Sequence, residues 1–280
     1  MSSIRKENAK KLAEGYSATK RTVEVCSVLS FCFLYGSEVV RIGRWFVHTN
    51  HLHEANDDAN NNTTMTVLLV QSVCSFFIAV AAADFFSGVA HWALDTWGSP
   101  STAVFGALIR SFREHHVDQM AITRHDVIET NGDNTMAVLP ILLWLCFQPI
   151  QSCSLFHSTS SIVLHVFLTS LVLFVALTNQ FHKWAHQASP PPLPIRMLMN
   201  RSIILSPRNH RVHHSGEFEK YYCITTGWLN YPLDAIGFWR IAEKVITAVT
   251  GAIPRADDKD TLFGGESSTQ PAPISSPTKK

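Results

Sequence analysis

Apolar residues along this chain fall into long runs, and the stretches between them are strongly polar. Four runs approach membrane length, at about 22–40, 65–83, 135–150 and 161–181. A helix needs about 20 consecutive apolar residues to cross a hydrocarbon core, so each run predicts a transmembrane helix. The first is weakened by Ser27, Ser30, Ser37 and Glu38, and the third is interrupted by Pro140. The expected fold class is all-α: a polytopic membrane helix bundle of about four transmembrane helices, with a cytosolic histidine-rich metal-binding cap and interfacial helices.

The polar stretches set the expected organisation. Residues 1–21 carry Arg5, Lys6, Lys10, Lys11, Lys20 and Arg21, which predicts a basic cytosolic tail under the positive-inside rule. No small-residue cleavage site closes the first apolar run, so it is expected to be retained as a span. Residues 41–64 are expected to form a solvated loop holding His48, His51, His53 and glycosylation sequons at Asn61 and Asn62. A long polar insert covers 91–134. Pro190, Pro191, Pro192 and Pro194 stop the fourth helix. Residues 195–205 then suit a helix lying in the membrane interface, and Ile241 to Val249 an amphipathic one. The domain reading is a tail at 1–21, a membrane domain at 22–256 and a disordered tail at 257–280. With the N-terminus inside, spans two and four end in the cytosol, and both termini are cytosolic.

Composition changes this picture little. The 23 basic residues nearly balance the 22 acidic ones, a net charge of +1, so nothing argues for a nucleic-acid partner. The six cysteines include no CxxC pair and lie mostly in or beside apolar runs, where they are expected to be buried as small hydrophobes.

The candidate chemistry is in the histidines. In Arg208-Asn209-His210-Arg211-Val212-His213-His214, His210 stands three and four positions before the other two, so a helix can lean all three towards one face. His91, His115, His116, His125, His182 and His186 also lie just beyond apolar segments. His91 and Asp95 are four apart, as are His182 and His186, so each pair can present donors from one helical face. Nine histidines exceed the four ligands of a structural zinc site, and two metal ions are the economical account. Imidazole suits Zn, Cu, Fe and Ni alike. The mouth of a membrane bundle, where a lipid chain can lie against an oxygen-activating centre, favours iron. Asp95, Glu114 and Asp118 are expected to orient ligating imidazoles. Arg110, Arg113, Arg124, Arg208 and Arg211 serve either a phospholipid headgroup or the positive-inside rule. His165 stands 17 residues before His182, about 25 Å along a helix, and is expected to be hydrogen-bonded between helices, outside the cluster.

Several strings resemble the plasmanylethanolamine desaturases, or Kua proteins, a branch of the histidine-rich lipid desaturases. They are HWALDTWGS (His91 to Ser99), FREHHVDQMAITRHDVIETNGDN (Phe112 to Asn134), TNQFHKWAHQ (Thr178 to Gln187), RNHRVHH (Arg208 to His214) and YYCITTGWLNYPLDAIGFWR (Tyr221 to Arg240). The resemblance implies an oxidoreductase that turns the sn-1 alkyl ether chain of plasmanylethanolamine into the vinyl ether of a plasmalogen. It also implies the endoplasmic reticulum membrane, a non-haem centre of two Fe ions, O2 as co-substrate, and electrons from cytochrome b5 and its reductase. The family's histidine positions map onto His91, His115, His116, His125, His182, His186, His210, His213 and His214, and its acidic position onto Asp95. Such families usually count eight essential histidines, and His125 is the least secure of the nine. Arg113, Arg124 and Arg211 are the expected headgroup contacts. The alternatives are an acyl-chain desaturase or hydroxylase of the same superfamily, or a metal-binding or transport protein without catalysis.

Overall fold

The computed structural model describes residues 16–54, 59–99, 102, 106–150, 157–215 and 219–254, except for the side chains of 52–64, 107, 113, 114, 117 and 157–160. The N-terminal tail to residue 15, the side chain of His53, the sequon side chains, Cys153 and the tail after 254 therefore lie outside what is described.

All regular structure among the described residues is helical. Four long helices form the bundle: α1 (Ala18–Glu54), α2 (Ala59–Thr96), α5 (Val127–Phe147) and α6 (His157–His186). Between α2 and α5 lie α3 (Gly106–Val117) and the single turn α4 (Ala121–Arg124). After α6 come α7 (Leu193–Asn200), α8 (Pro207–His213), α9 (Asn230–Ala235) and α10 (Phe238–Thr250).

Three helices are long and apolar enough to cross a membrane, over Ala18–His51, Met65–Thr96 and Ser161–His186. The expected third span is the C-terminal part of α5, whose first turns carry Glu129, Asn131, Asp133 and Asn134 and dilute its hydropathy. It still packs as a full member of the bundle: Val138, Leu142 and Leu145 meet Phe31 of α1 and Val172 and Ala176 of α6. On the other side of α6, Ala79 and Ala83 of α2 pack against Leu171.

The expected loop at 41–64 is instead helical at both ends. α1 continues to Glu54 and α2 begins at Ala59, because Trp45 packs on Leu68 and Ile162 and carries the helix past the apolar run. At 37 residues α1 is about 55 Å long, well beyond a hydrocarbon core of about 30 Å. Its outer face and that of α2 are apolar and open, with Leu29, Phe33, Phe77 and Ile78 more than half exposed. That is the surface expected against lipid tails, and the chain is a multi-pass membrane protein. Cys26, Cys32 and Cys74 lie on these exposed faces, contrary to the expected burial, while Cys223 is buried. A bilayer makes the outer face of a span as apolar as the core, so a small hydrophobe has no reason to turn inward.

The first turn of α1, the last of α2, the first of α5 and the last of α6 meet at one end of the bundle. α7 to α10 close over that end. Leu193, Met197 and Leu198 of α7 and Ile241, Val245 and Val249 of α10 remain exposed, as interfacial helices require.

Candidate metal centre

Local sequence places each histidine. α8 starts where Ser206 caps it, its hydroxyl accepting from Asn209 N at 3.2 Å, with Pro207 at the first helical position. One turn later His210 and His213 are buried inward. His91 and Asp95 share the inner face at the end of α2, His182 and His186 that of α6, and His115 and His116 end α3.

These residues form two groups. In one, His115, His182, His186, His210 and His214 each bring a ring nitrogen within 4.8 Å of the others. In the second, His91, Asp95, His116 and His213 do the same. Asp95 Oδ2 lies 3.2 Å from His91 Nε2, 3.4 Å from His116 Nε2 and 3.8 Å from His213 Nε2. Asp95 is therefore a donor within the second group. Adjacent His115 and His116 point into different groups, as their separation of about 100° on a helix requires.

The donor set fits metal ions. In the first group the Nε2 atoms of His115, His214, His210 and His182 form a chain with steps of 3.0, 2.9 and 2.9 Å. His186 Nε2 is buried there without a hydrogen-bond partner. A neutral imidazole has one N–H, so this many converging ring nitrogens turn lone pairs on one another; a cation between them relieves that. Burial and the neighbouring imidazoles push His115, His210 and His214 well below the ordinary histidine range, and His213 down to about 3. They are neutral and ready to ligate.

Backbone carbonyls set two of the rings. His91 Nδ1–H donates to Tyr222 O at 3.0 Å and His213 Nδ1–H to Lys220 O at 2.9 Å, which fixes the tautomer and leaves each Nε2 facing the second group. Those carbonyls belong to the segment 219–230, which Asp84 anchors. Its buried carboxylate accepts from Thr226 N at 2.7 Å, Gly227 N at 2.8 Å and Leu229 N at 3.0 Å. Asn230 clamps both backbone groups of Cys223, at 2.8 and 2.9 Å. The segment sits tightly on α2: a Cβ on Gly88 would lie 2.6 Å from Cys223 Sγ. Tyr221 holds a positive φ of 61° to turn the chain here. Sequence reasoning missed Asp84, and the only sign was a carboxylate at the end of a strongly apolar run.

The other sequence candidates lie elsewhere. His125 belongs to neither group; its Nε2 is 3.6 Å from Glu129, and its carbonyl accepts from Lys183 Nζ at 2.5 Å. Asp118, expected to orient an imidazole, instead pairs with Arg124 at 2.6 Å and accepts from Met120 N. That pairing also occupies Arg124, and Arg211 is exposed. The side chains of Arg113 and Glu114 lie outside the described residues. His165, as expected, is hydrogen-bonded between helices, with Nδ1 2.5 Å from Glu38 Oε1.

One cavity reaches the centre and a second adjoins it. A small polar pocket is lined by His115, His182, His125, Glu129 and Asn179, among others. A larger one of about 600 Å³ runs between α2, α3, α5 and α6, lined mainly by Phe86, Ala90, Met136, Val175 and Ile224. The two share Leu108, Phe112, Asp133 and Asn179.

Comparison with known proteins bears on this centre. A lipid desaturase domain matches residues 80–257. The chain is 41% identical over 256 residues to a plasmanylethanolamine desaturase of Myxococcus xanthus, covering 91% of this chain and 82% of that one. It is 40% identical over 260 residues to plasmanylethanolamine desaturase 1 of Mus musculus, covering 89% and 86%. A more distant relative is the chloroplastic fatty acid desaturase 4 of Arabidopsis thaliana, 29% identical over 191 residues, covering 68% and 56%. No solved structure matches the chain.

Proposed function

Because this chain belongs to the lipid desaturase family, we propose that it is a plasmanylethanolamine desaturase, forming the vinyl ether of plasmalogens from the sn-1 alkyl ether chain. One observation carries the choice of substrate type: the apolar cavity of about 600 Å³ ends on Phe112 and Asn179, residues it shares with the polar pocket that reaches His115 and His182. Its volume is that of a ligand site, and its lining suits an alkyl chain.

Two iron ions are the proposed cofactors, held by His115, His182, His186, His210 and His214 on one side and by His91, Asp95, His116 and His213 on the other. With O2 and electrons, such a centre supplies the oxidising power to take two hydrogens from neighbouring carbons. The protein's own contributions are positional. Asp84 and the segment it anchors hold His91 and His213 in one tautomer. The apolar cavity excludes water and presents the chain beside Phe112, while the polar pocket accommodates the glycerol end. Cytochrome b5 and its reductase are the proposed electron source, in the endoplasmic reticulum membrane, with the histidine end of the bundle and both termini in the cytosol. The proposed membrane domain is 22–256.

Expression in cells that lack plasmalogens tests the assignment. Wild type is expected to generate acid-labile vinyl ether lipids and His213→Ala none. An acid-stable alkene or an alcohol would move the protein to the acyl desaturases or hydroxylases, where the Arabidopsis relative points. No oxidised lipid from wild type would defeat the proposal.

A further inference from the structure

Where the apolar cavity reaches the bundle end, its lining turns polar at Lys20, Asp133, Asn134 and Asn179. Lys20 comes from the first turn of α1, outside the residues 80–257 that match the family domain. Its Nζ lies 2.9 Å from both carboxylate oxygens of Asp133 on α5 and 3.2 Å from Glu24 Oε1. Gly132 makes this approach feasible: a Cβ there would lie 2.4 Å from Glu24 Cγ, so any side chain would push α1 off α5. Asn134 is fixed in turn, donating to Val175 O at 2.9 Å and accepting from Asn179 Nδ2 at 3.3 Å.

We propose that Lys20 and Asp133 read the phosphoethanolamine headgroup, Lys20 taking the phosphate and Asp133 the primary ammonium. This rests on the ether-lipid substrate proposed above. Three observations support it. Lys20 and Asp133 are both about a quarter exposed, 27% and 28%, so the pair is open to a ligand although it closes a cavity. Asp133 lines both the apolar cavity and the pocket that reaches His115 and His182. In the substrate, only a glycerol separates the first carbons of the ether chain from the phosphate. A chain reacting beside Phe112 therefore leaves its headgroup at this mouth.

The chemistry matches a zwitterion. An internal ion pair exchanges for two intermolecular ones of the same kind, so no buried charge is left uncompensated. The surrounding groups are Glu24, Asp126 and Glu129 with Arg110, which acts on Glu129, and Arg21, which itself pairs with Asp126 at 2.8 Å. Four carboxylates thus face three cations, a small acidic surplus that favours the ammonium pole. A primary ammonium donates hydrogen bonds to Asp133, and a trimethylated choline has none to give. The corner thereby selects ethanolamine over choline.

The test uses full-length protein extracted from membranes containing both plasmanylethanolamine and plasmanylcholine, with the co-purifying lipids measured by mass spectrometry, alongside vinyl ether formation in the same cells. Wild type is expected to retain the ethanolamine lipid preferentially. Asp133→Asn is expected to reduce that preference roughly tenfold, the size of one charge-assisted hydrogen bond, and Lys20→Met to lower retention of both lipids. The double variant Lys20→Asp with Asp133→Lys keeps the link between α1 and α5 but reverses its poles, and is expected to fold and lose the preference. An unchanged lipid ratio in Asp133→Asn, or a wild-type ratio in the reversed pair, overturns the proposal while the desaturase assignment stands. Absence of vinyl ether and of bound ether lipid in wild type overturns the assignment itself.

Discussion

The two ends of the bundle both bury ionisable groups, and they do so in opposite ways. At the far end Glu38 is fully buried, His165 Nδ1 lies 2.5 Å from its Oε1, and Arg41 sits 2.6 Å from its Oε2. Arg41 also donates to Leu145 O at 2.9 Å and Gln148 O at 2.5 Å, closing the end of α5. Every charge there has a partner, and the network ties α1, α5 and α6 together. At the near end eight imidazoles and Asp95 converge on two points, with ring nitrogens turned towards one another. A closed network stabilises a fold, whereas converging donors call for an ion. The histidine inside a span is therefore held in a closed network, while those at the span ends form two groups that could hold metal ions.

The largest effect that sharpens this contrast is on activity. His91→Ala, His186→Ala or His210→Ala is expected to remove vinyl ether formation and metal together, a loss of more than about 100-fold, while His165→Gln retains both. Metal bound normally by His210→Ala would break the comparison.

Next in size is the support beneath the ligands. Asp84→Asn withdraws the carboxylate charge that receives three backbone N–H groups, loosening the carbonyls that hold His91 and His213. We expect activity to fall about 10- to 100-fold with reduced metal content; normal metal and activity would show that the segment holds its shape without Asp84.

At the far end the expected effect is on stability alone. Arg41→Ala leaves Glu38 buried against His165 without its cation, costing about 3 kcal/mol. The melting temperature in detergent should fall, while iron per folded chain stays the same.

Acidification also tests the near end. The folded-state pKa of His213 lies at about 3, below an unfolded value near 6.5. Above about 6.5 both states are neutral and stability does not change. As the pH falls from there, the unfolded chain takes up protons first, and metal-free protein loses up to about 1.4 kcal/mol per pH unit for each such histidine, until the folded group titrates. Thermal melts of chelator-treated protein at pH 7 and pH 5 check the sign: greater stability at pH 5 would contradict neutral buried imidazoles.

The smallest effect is expected at His125. His125→Ala should leave the metal content unchanged, since its ring faces Glu129 and neither group of ligands. Loss of one iron equivalent would return it to the ligand set.

Much of the near end was legible in the sequence because clustered histidines at helical spacing leave a strong trace. Spacings of three and four put His210, His213 and His214 on one helix, and apolar runs of countable length brought the remaining pairs to the same side. The division between the groups was not legible, since it depends on the direction in which α3 presents His115 and His116. Asp118 misled for a local reason: Arg124, six residues on at the end of α4, pairs with it at 2.6 Å. Asp84 was hidden because three backbone N–H groups distant in sequence give it its role. The loop expected at 41–64 failed because composition does not register Trp45 packing on Leu68 and Ile162. The first turns of α5 read as part of the polar insert because Glu129 and Asp133 there line the pockets beside the site.

Metal analysis of the purified full-length protein tests the central claim most directly. Two irons per folded chain are predicted for wild type, undiminished in His165→Gln and lost in His210→Ala. One tightly held zinc per chain without iron would contradict it.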